Sequence, residues 1–133
     1  MDCRQALQAS GGNLAKAKAW LRQKGIKSAA KKVGRETRQG RIETYSHADG
    51  KIVTVVELLC ETDFAAGTAD FEKLAHELAM QVAAMNPKNT KELLSQPYIR
   101  DEKRTINSLI KEAVGKLGEN IIIGKIARFE LGK

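Results

Sequence analysis

The residues best suited to chemistry in this chain follow a central β-branched apolar run. Ile52–Cys60 reads IVTVVELLC and is followed directly by Glu61, Thr62, Asp63 and Phe64. Such a run is typical of a buried strand, and strand ends are where a rigid scaffold presents binding or reactive groups. Here the carboxylates could act as an acid–base pair and the cysteine thiol as a nucleophile. The aromatic ring could either be buried in the core or be offered to a partner, and the residue types leave both roles open.

The surroundings of Glu61–Phe64, which we call the corner, argue against catalysis. Cys60 has Glu57 and Glu61 near it in sequence, and negative charges raise a thiol pKa rather than lowering it. We therefore interpret Cys60 as a small buried apolar residue. No Gly-rich phosphate loop follows a strand, and Gly115–Gly118 (GKLG) lacks the Gly-Lys-Ser/Thr ending of a Walker loop. We predict that the chain is not an enzyme and that it requires no metal ion or cofactor.

Positive charge is concentrated in the first third of the chain. Residues 1–48 hold 11 Lys and Arg against three acidic residues, whereas residues 49–133 hold 12 against 13. The segment from Arg22 to Arg41 could bind nucleic acid or an acidic protein face, or it could be a solvated surface. Gly115–Gly118 also matches the GxxG loop of KH RNA-binding domains, but it precedes a strand instead of joining two helices. A basic RNA- or ribosome-associated binding module is the main alternative function.

The elements before the corner are predicted from helix and turn signals. Residues 1–25 are expected to form two short helices, separated at Gly11-Gly12 and ended at Gly25. Residues 26–40 are expected to form a basic connector. A hairpin should then join Ile42–Tyr45 to Ile52–Cys60 through Asp49-Gly50, a dipeptide suited to the positive φ angles of a tight turn.

The elements after the corner complete an α+β fold. They are predicted as a helix from near Thr68 to before Asn86-Pro87 with Phe71, Leu74, Leu78, Val82 and Met85 on one stripe, a short helix near Thr90–Leu94, a turn at Gln96-Pro97, a helix from about Asp101 to Leu117, a turn at Gly118–Asn120, and a strand from Ile121 to Leu131. This order predicts a three-stranded antiparallel sheet with helices packed on one face.

Length and composition limit the location of the chain. At 133 residues it can form one modest core. No apolar run approaches the roughly 20 residues that span a bilayer, and the polar N-terminus lacks the apolar region of a signal peptide. Cys3 and Cys60 form no metal-binding motif. We expect a bacterial cytoplasmic location, or an organellar matrix or stroma, without membrane attachment.

Five motifs in order along the chain resemble those of the elongation factor Ts family. They are Met1–Leu7 (MDCRQAL), Gly12-Asn13-Leu14 through Gly25, Val56–Phe64 (VELLCETDF), Gly118–Ile121 (GENI) and Arg128–Gly132 (RFELG). The third is similar to the family signature VELNCETDFVA, with Ala65 where Val is usual. The chain departs from the family in lacking a first N-terminal helix and in being short over Asn86–Pro97.

The resemblance implies a guanine-nucleotide exchange factor for elongation factor Tu, the GTPase that delivers aminoacyl-tRNA. In that family an Asp-Phe pair enters the partner beside its Mg²⁺ and nucleotide site, so that GDP leaves. By matching position, Phe64 is the wedge, Asp63 its polar anchor, and Thr62 shapes the turn. No direct nucleic-acid requirement follows from this role.

The resemblance also implies further contacts and a domain division. Leu117 and Gly118 of the GENI turn would belong to the contact surface, and Met1, Asp2 and Arg4 would contact the GTPase domain. The family division places a truncated UBA-like helical module at 1–25, a connector at 26–40 and a dimerisation-type core domain at 41–133. With one copy of the sheet domain, the chain is expected to form a homodimer.

Overall fold

The computed structural model describes residues 34–133, so the two predicted N-terminal helices and the expected contact residues Met1, Asp2 and Arg4 lie outside the described residues. In order, the described elements are β1 (Gln39–His47), β2 (Ile52–Cys60), α1 (Asp63–Ala66), α2 (Ala69–Met85), α3 (Thr90–Ser95), β3 (Pro97–Tyr98), β4 (Asp101–Thr105), α4 (Ile106–Leu117) and β5 (Ile122–Glu130). The α+β class and the three-stranded antiparallel sheet are confirmed.

Strand β2 lies at the centre of the sheet, between β1 and β5. The β1–β2 hairpin turns at Ala48, Asp49 and Gly50, whose φ angles are all positive, as the Asp-Gly signal predicts. Strand β1 is longer than predicted and pairs from Gln39 opposite Cys60 to His47 opposite Ile52. The hydrogen-bonded ladder therefore runs along β2 up to the residue that precedes the Glu61–Phe64 corner.

Helix α2 covers one face of the sheet. It begins after Thr68, whose Oγ1 accepts a hydrogen bond from the Phe71 amide at 3.2 Å, and ends at the left-handed Asn86. Phe71, Leu74, Leu78 and Val82 are buried as predicted. Met85 was predicted on the same stripe, but its side chain is 45% exposed. Its neighbours Ala84 and Asn86 are exposed too, so the last residues of α2 extend past the core.

The start of the last helix differs from the prediction. Asp101–Thr105 forms strand β4 and pairs with β3, so the chain reverses at Ile99 and Arg100 and not at Gln96-Pro97. The segment DEKRT has no apolar stripe to bury, and Thr105 is an effective N-cap that accepts a hydrogen bond from the Ser108 amide at 3.1 Å. Helix α4 therefore begins at Ile106.

Among the described residues, no helix has the length and apolar character needed to cross a membrane.

Candidate functional site

The aromatic ring of Phe64 lies outside the core. Its side chain is 86% exposed, whereas the adjacent Ala65 is buried against the core cluster. Both belong to α1, a four-residue helix that sequence reasoning did not predict. The core position near this corner is occupied by Phe71, which is fully buried. Of the two roles open to Phe64, burial in the core is therefore excluded.

Thr62 and Asp63 frame the exposed ring. Thr62 is the N-cap of α1, and its Oγ1 accepts a hydrogen bond from the Ala65 amide at 3.2 Å. Asp63 is exposed in the first turn. Its carboxylate makes no hydrogen bond or salt bridge to the described part of the chain. The corner thus presents an exposed carboxylate beside an exposed ring.

Two reciprocal carboxylates hold this corner against the turn between α4 and β5. Glu119 Oε1 accepts hydrogen bonds from the amides of Glu61 at 3.1 Å and Thr62 at 2.9 Å, and its Oε2 accepts one from the Thr62 hydroxyl at 2.5 Å. In return, Glu61 Oε2 accepts a hydrogen bond from the Asn120 amide at 2.6 Å. We call Glu61, Thr62, Glu119 and Asn120 the corner cluster.

The chain segment that leads in from the N-terminus is attached to the same cluster. The buried Asn120 side chain donates a hydrogen bond from Nδ2 to the carbonyl of Arg35 at 2.8 Å. The Arg35 guanidinium lies 3.8 Å from Glu61 Oε2. Sequence reasoning missed the roles of Glu119, Asn120 and Arg35. The available signal was an acid and an amide directly after a helix-ending glycine.

Leu117 and Gly118 lie immediately before the corner cluster. Gly118 ends α4 in the left-handed conformation, with φ of 75°, and its amide donates to the Val114 carbonyl at 2.9 Å. This conformation favours glycine and directs the chain into Glu119. The two segments expected to contact a partner, Thr62–Phe64 and Leu117-Gly118, are therefore joined through Glu119.

The cysteine at the end of β2 is buried, as predicted. Its Sγ donates to the Thr62 carbonyl at 3.2 Å. Burial is the main cause that raises the pKa of the Cys60 thiol, and the negative charges of Glu119 and Asp63 raise it further. The acidic residues that matter are thus not the Glu57 and Glu61 considered from the sequence. A thiol with a raised pKa is a poor nucleophile.

A cavity of about 300 Å³ between α2 and α4 is bordered by Leu117. Four of its charged residues form two ion pairs: Lys116 Nζ lies 3.3 Å from Asp70, and Arg104 contacts Glu112. The buried Tyr98 hydroxyl donates to Glu77 at 2.8 Å. Burial, followed by this hydrogen bond, raises the pKa of Tyr98 to about 12. These contacts stabilise the packing of the hairpin and helices.

The face of the sheet that α2 does not cover is largely apolar. Thr54, Val56, Leu58 and Cys60 point toward the helices. The intervening residues and their cross-strand partners form the opposite side, which we call the open face: Gly40, Ile42, Thr44, Ser46, Val53, Val55, Glu57, Leu59, Ile122, Ala127 and Phe129. Ile42 is 63% exposed and Phe129 65% exposed. No element within residues 34–133 covers this face.

A search of the described residues finds no group of three His, Cys, Asp or Glu side chains that could hold a metal ion.

Comparison with known proteins identifies the family. The family model "Elongation factor TS" matches residues 25–93 and 61–133. The chain is 37% identical to elongation factor Ts of Coprothermobacter proteolyticus, over 100% of this chain and 90% of that protein. It is 40% identical to that of Nitratidesulfovibrio vulgaris, over 99% and 88%, and 41% identical to that of Oleidesulfovibrio alaskensis, over 99% and 89%.

The first of these alignments spans 178 residues, although this chain has 133. The relative therefore carries positions that have no counterpart here, while the alignment covers the whole of this chain and 90% of the relative. On these full-length matches, the chain belongs to the elongation factor Ts family, whose members are nucleotide-exchange factors for elongation factor Tu and not enzymes.

Proposed function

We propose that this chain binds elongation factor Tu and promotes GDP release by inserting Phe64 beside the Mg²⁺ and nucleotide site, with Asp63 as the polar anchor. The observation that carries the proposal is the 86% exposure of Phe64 on a helix whose N-cap Thr62, with the preceding Glu61, is hydrogen-bonded to Glu119. An exposed aromatic ring with few rotatable bonds is an effective anchor for a partner's pocket, because little side-chain entropy is lost on binding.

Exchange by this route requires differential binding and no acid–base chemistry. The factor must bind the nucleotide-free state of elongation factor Tu more tightly than the GDP-bound state, and by linkage it then weakens GDP binding by the same factor. Each tenfold of such preference corresponds to about 1.4 kcal/mol. Contacts made by Phe64 and Asp63 only after GDP and Mg²⁺ have loosened would supply this preference.

The remaining contact residues extend the proposed surface. Leu117 and Gly118 directly precede Glu119, whose hydrogen bonds connect them to the corner. We propose that they contact the same partner. Met1, Asp2 and Arg4 belong to the proposed helical module at 1–25 and would contact the GTPase domain. The connector at 26–40 would link this module to the core domain. The core domain at 41–133 would then present the wedge.

The test is the release of fluorescent GDP from elongation factor Tu with and without this chain. We expect acceleration by the wild type and at least a tenfold slower release with Phe64→Ala, a loss of about 1.4 kcal/mol. Leu131→Ala removes another exposed apolar side chain. With this variant, elongation factor Tu should release GDP at the rate seen with the wild type. A folded wild type that gives no acceleration, or a Phe64→Ala variant that matches it, would refute the proposal.

The alternative of a basic RNA-binding module gains no support from the described residues. Arg35, Arg38 and Arg41 each lie within 3.8 Å of a carboxylate of this chain, and paired cations are less available to phosphates. That function predicts RNA binding that falls steeply with salt and survives Phe64→Ala.

We further propose that a second copy of this chain binds the open face. Three nine-residue strands span about 30 Å by 14 Å, so face-to-face packing covers on the order of 400 Å² of each copy. This area is below that of standard stable interfaces, and the half-buried Glu57 must also lose water. The dimer is therefore expected to be weak and to dissociate on dilution.

Analytical ultracentrifugation over a range of concentrations tests the dimer. Phe129→Asp should give a monomer throughout, whereas Leu131→Asp, a comparably exposed position beyond the end of β5, should leave the association unchanged. A wild type that stays monomeric at the highest concentration reached, or a dimer that persists in Phe129→Asp, would contradict this assignment.

A further inference from the structure

We infer that Glu119 is a positioning residue for Thr62–Phe64, which we call the exchange element: it fixes the orientation of α1, and so of Phe64, through Thr62. This inference rests on the proposed exchange function. It assigns a role to a side chain whose hydrogen bonds go to Glu61 and Thr62, the two residues that precede α1, and not to Phe64 itself.

The first step is the dependence of α1 on its ends. The helix has four residues, Asp63–Ala66, and a helix of one turn is not stable in isolation because nucleation is unfavourable. Its direction must therefore be set by tertiary contacts. Ala65 packs in the core cluster, and at the C-terminal end the Thr68 hydroxyl donates to the Ala65 carbonyl at 2.8 Å, which joins α1 to the start of α2. The N-terminal end is the one attached to the turn between α4 and β5.

The second step is the geometry of Glu119. Its two oxygens accept three hydrogen bonds from two consecutive residues, namely the Glu61 amide, the Thr62 amide and the Thr62 hydroxyl. Hydrogen bonds to a carboxylate are shorter and stronger than those between neutral groups. Three donors on both carboxylate oxygens restrict translation and rotation of the residues from which α1 starts.

The third step is the relay through the Thr62 hydroxyl. This group donates its only proton to Glu119 Oε2 and accepts the Ala65 amide hydrogen at 3.2 Å. A hydroxyl has one proton and two lone pairs. When the hydroxyl donates its proton to Glu119, a lone pair of Thr62 Oγ1 is directed at the Ala65 amide. Without Glu119 the proton is free to rotate, and the N-cap of the helix that bears Phe64 is weakened.

The reciprocal half of the corner cluster supports the carboxylate itself. Glu61 Oε2 accepts from the Asn120 amide, and Asn120 Nδ2 donates to the Arg35 carbonyl. These bonds fix the backbone next to Glu119, so its side chain starts from a defined position. Glu119 is thus held by the turn and in turn holds the corner.

The test is a stopped-flow titration of fluorescent GDP release, which separates the plateau rate from the half-saturating concentration. We expect Glu119→Ala to lower the plateau by roughly tenfold to a hundredfold, as for a misplaced reacting group, with a much smaller change in half-saturation. A merely structural loss would lower the folded fraction, which raises the half-saturating concentration and leaves the plateau unchanged. Glu119→Gln keeps an oxygen for the two amides but replaces the acceptor of the Thr62 hydroxyl proton with an amide donor, so it should restore the plateau only in part.

A double-variant cycle tests whether Glu119 acts through Phe64. In the Phe64→Ala background, Glu119→Ala should cause no further fall in the plateau. As a matched control, Asn89→Ala removes the N-cap of α3, where Asn89 Oδ1 accepts from the Glu92 amide at 2.8 Å, and should leave the plateau unchanged.

The outcomes separate this inference from the function on which it rests. A wild type that does not accelerate release refutes the exchange function. A wild type that accelerates it, with an unchanged plateau in Glu119→Ala, refutes only the positioning role. If Glu119→Ala does not fold, Thr62→Val removes the relaying hydroxyl alone, and an unchanged plateau in that variant would overturn the inference.

Discussion

Two phenylalanines close together in the chain should respond to the same substitution in opposite ways. Phe64 is 86% exposed, and Phe71, in the first turn of α2, is fully buried. We expect Phe71→Ala to unfold the protein at much lower temperature without a specific effect on exchange per folded molecule. We expect Phe64→Ala to slow exchange and to leave stability nearly unchanged.

The magnitudes follow from the buried fractions. A Phe side chain buries about 200 Å² when fully covered, so Phe64 buries roughly 30 Å² and contributes about 0.7 kcal/mol at 25 cal/mol per Å². Phe71→Ala loses the burial of the whole side chain and leaves a cavity. Together these two effects destabilise a protein by about 3–5 kcal/mol. For a chain of 133 residues the melting temperature falls by about 3–4 °C per kcal/mol, giving about 2–3 °C for Phe64→Ala and about 10 °C or more for Phe71→Ala.

The assay is thermal unfolding followed by circular dichroism, with fluorescent GDP release measured on the same samples well below both transitions. The decisive result is the ratio of the two shifts in melting temperature. If Phe64→Ala lowers the melting temperature as much as Phe71→Ala does, the ring belongs to the core and the assignment of the wedge is wrong.

Three further predictions concern buried polar groups. Thr54→Val removes the hydrogen bond from the hydroxyl to the Ala79 carbonyl, 2.8 Å long, and should lower the free energy of unfolding in urea by about 1 kcal/mol; Thr54→Ser should recover part of it, and equal losses would contradict this role. Because the folded pKa of Tyr98 is raised from 10.0 to about 12, its contribution to stability is present below pH 10 and is lost as the pH rises to 12; ultraviolet titration should show a late phenolate that Tyr98→Phe removes. Alkylation of Cys60, followed by peptide mapping, should be much slower in the folded protein than in urea, and equal rates would contradict its burial and raised pKa.

Local signals were sufficient for much of the fold. The β-branched run predicted β2 with its observed bounds, and Asp49-Gly50 predicted the hairpin turn. Thr68 and Asn86-Pro87 predicted the limits of α2. Each signal depends on backbone or capping preferences of a few adjacent residues, which a single sequence displays directly.

The errors arise where tertiary contacts decide. Asp101–Thr105 has charged residues that tolerate a helix, but the buried Tyr98 and its hydrogen bond to Glu77 fix a hairpin there instead. Met85 has the correct helical spacing for the core, yet the core ends before it. Periodicity specifies which side of a helix is apolar but not how far the neighbouring elements extend.

The candidate site could be predicted only in part. The family resemblance singled out Phe64, and its exposure agrees with that interpretation. The supporting role of Glu119 was not apparent, because the amides it binds belong to Glu61 and Thr62. These residues precede Glu119 by 58 and 57 positions in the chain. Hydrogen bonds across such a separation leave no local pattern.

That separation has a consequence for the order in which the protein is made. A ribosome synthesises Phe64 long before Glu119, so the emerging chain carries the wedge while its orienting carboxylate is still missing. Closing a loop of this length has an entropic cost that is recovered only when β5 pairs with β2. A chain truncated before Glu119 would therefore expose the aromatic ring without its fixed orientation, and maturation of the exchange element would be among the last events of folding.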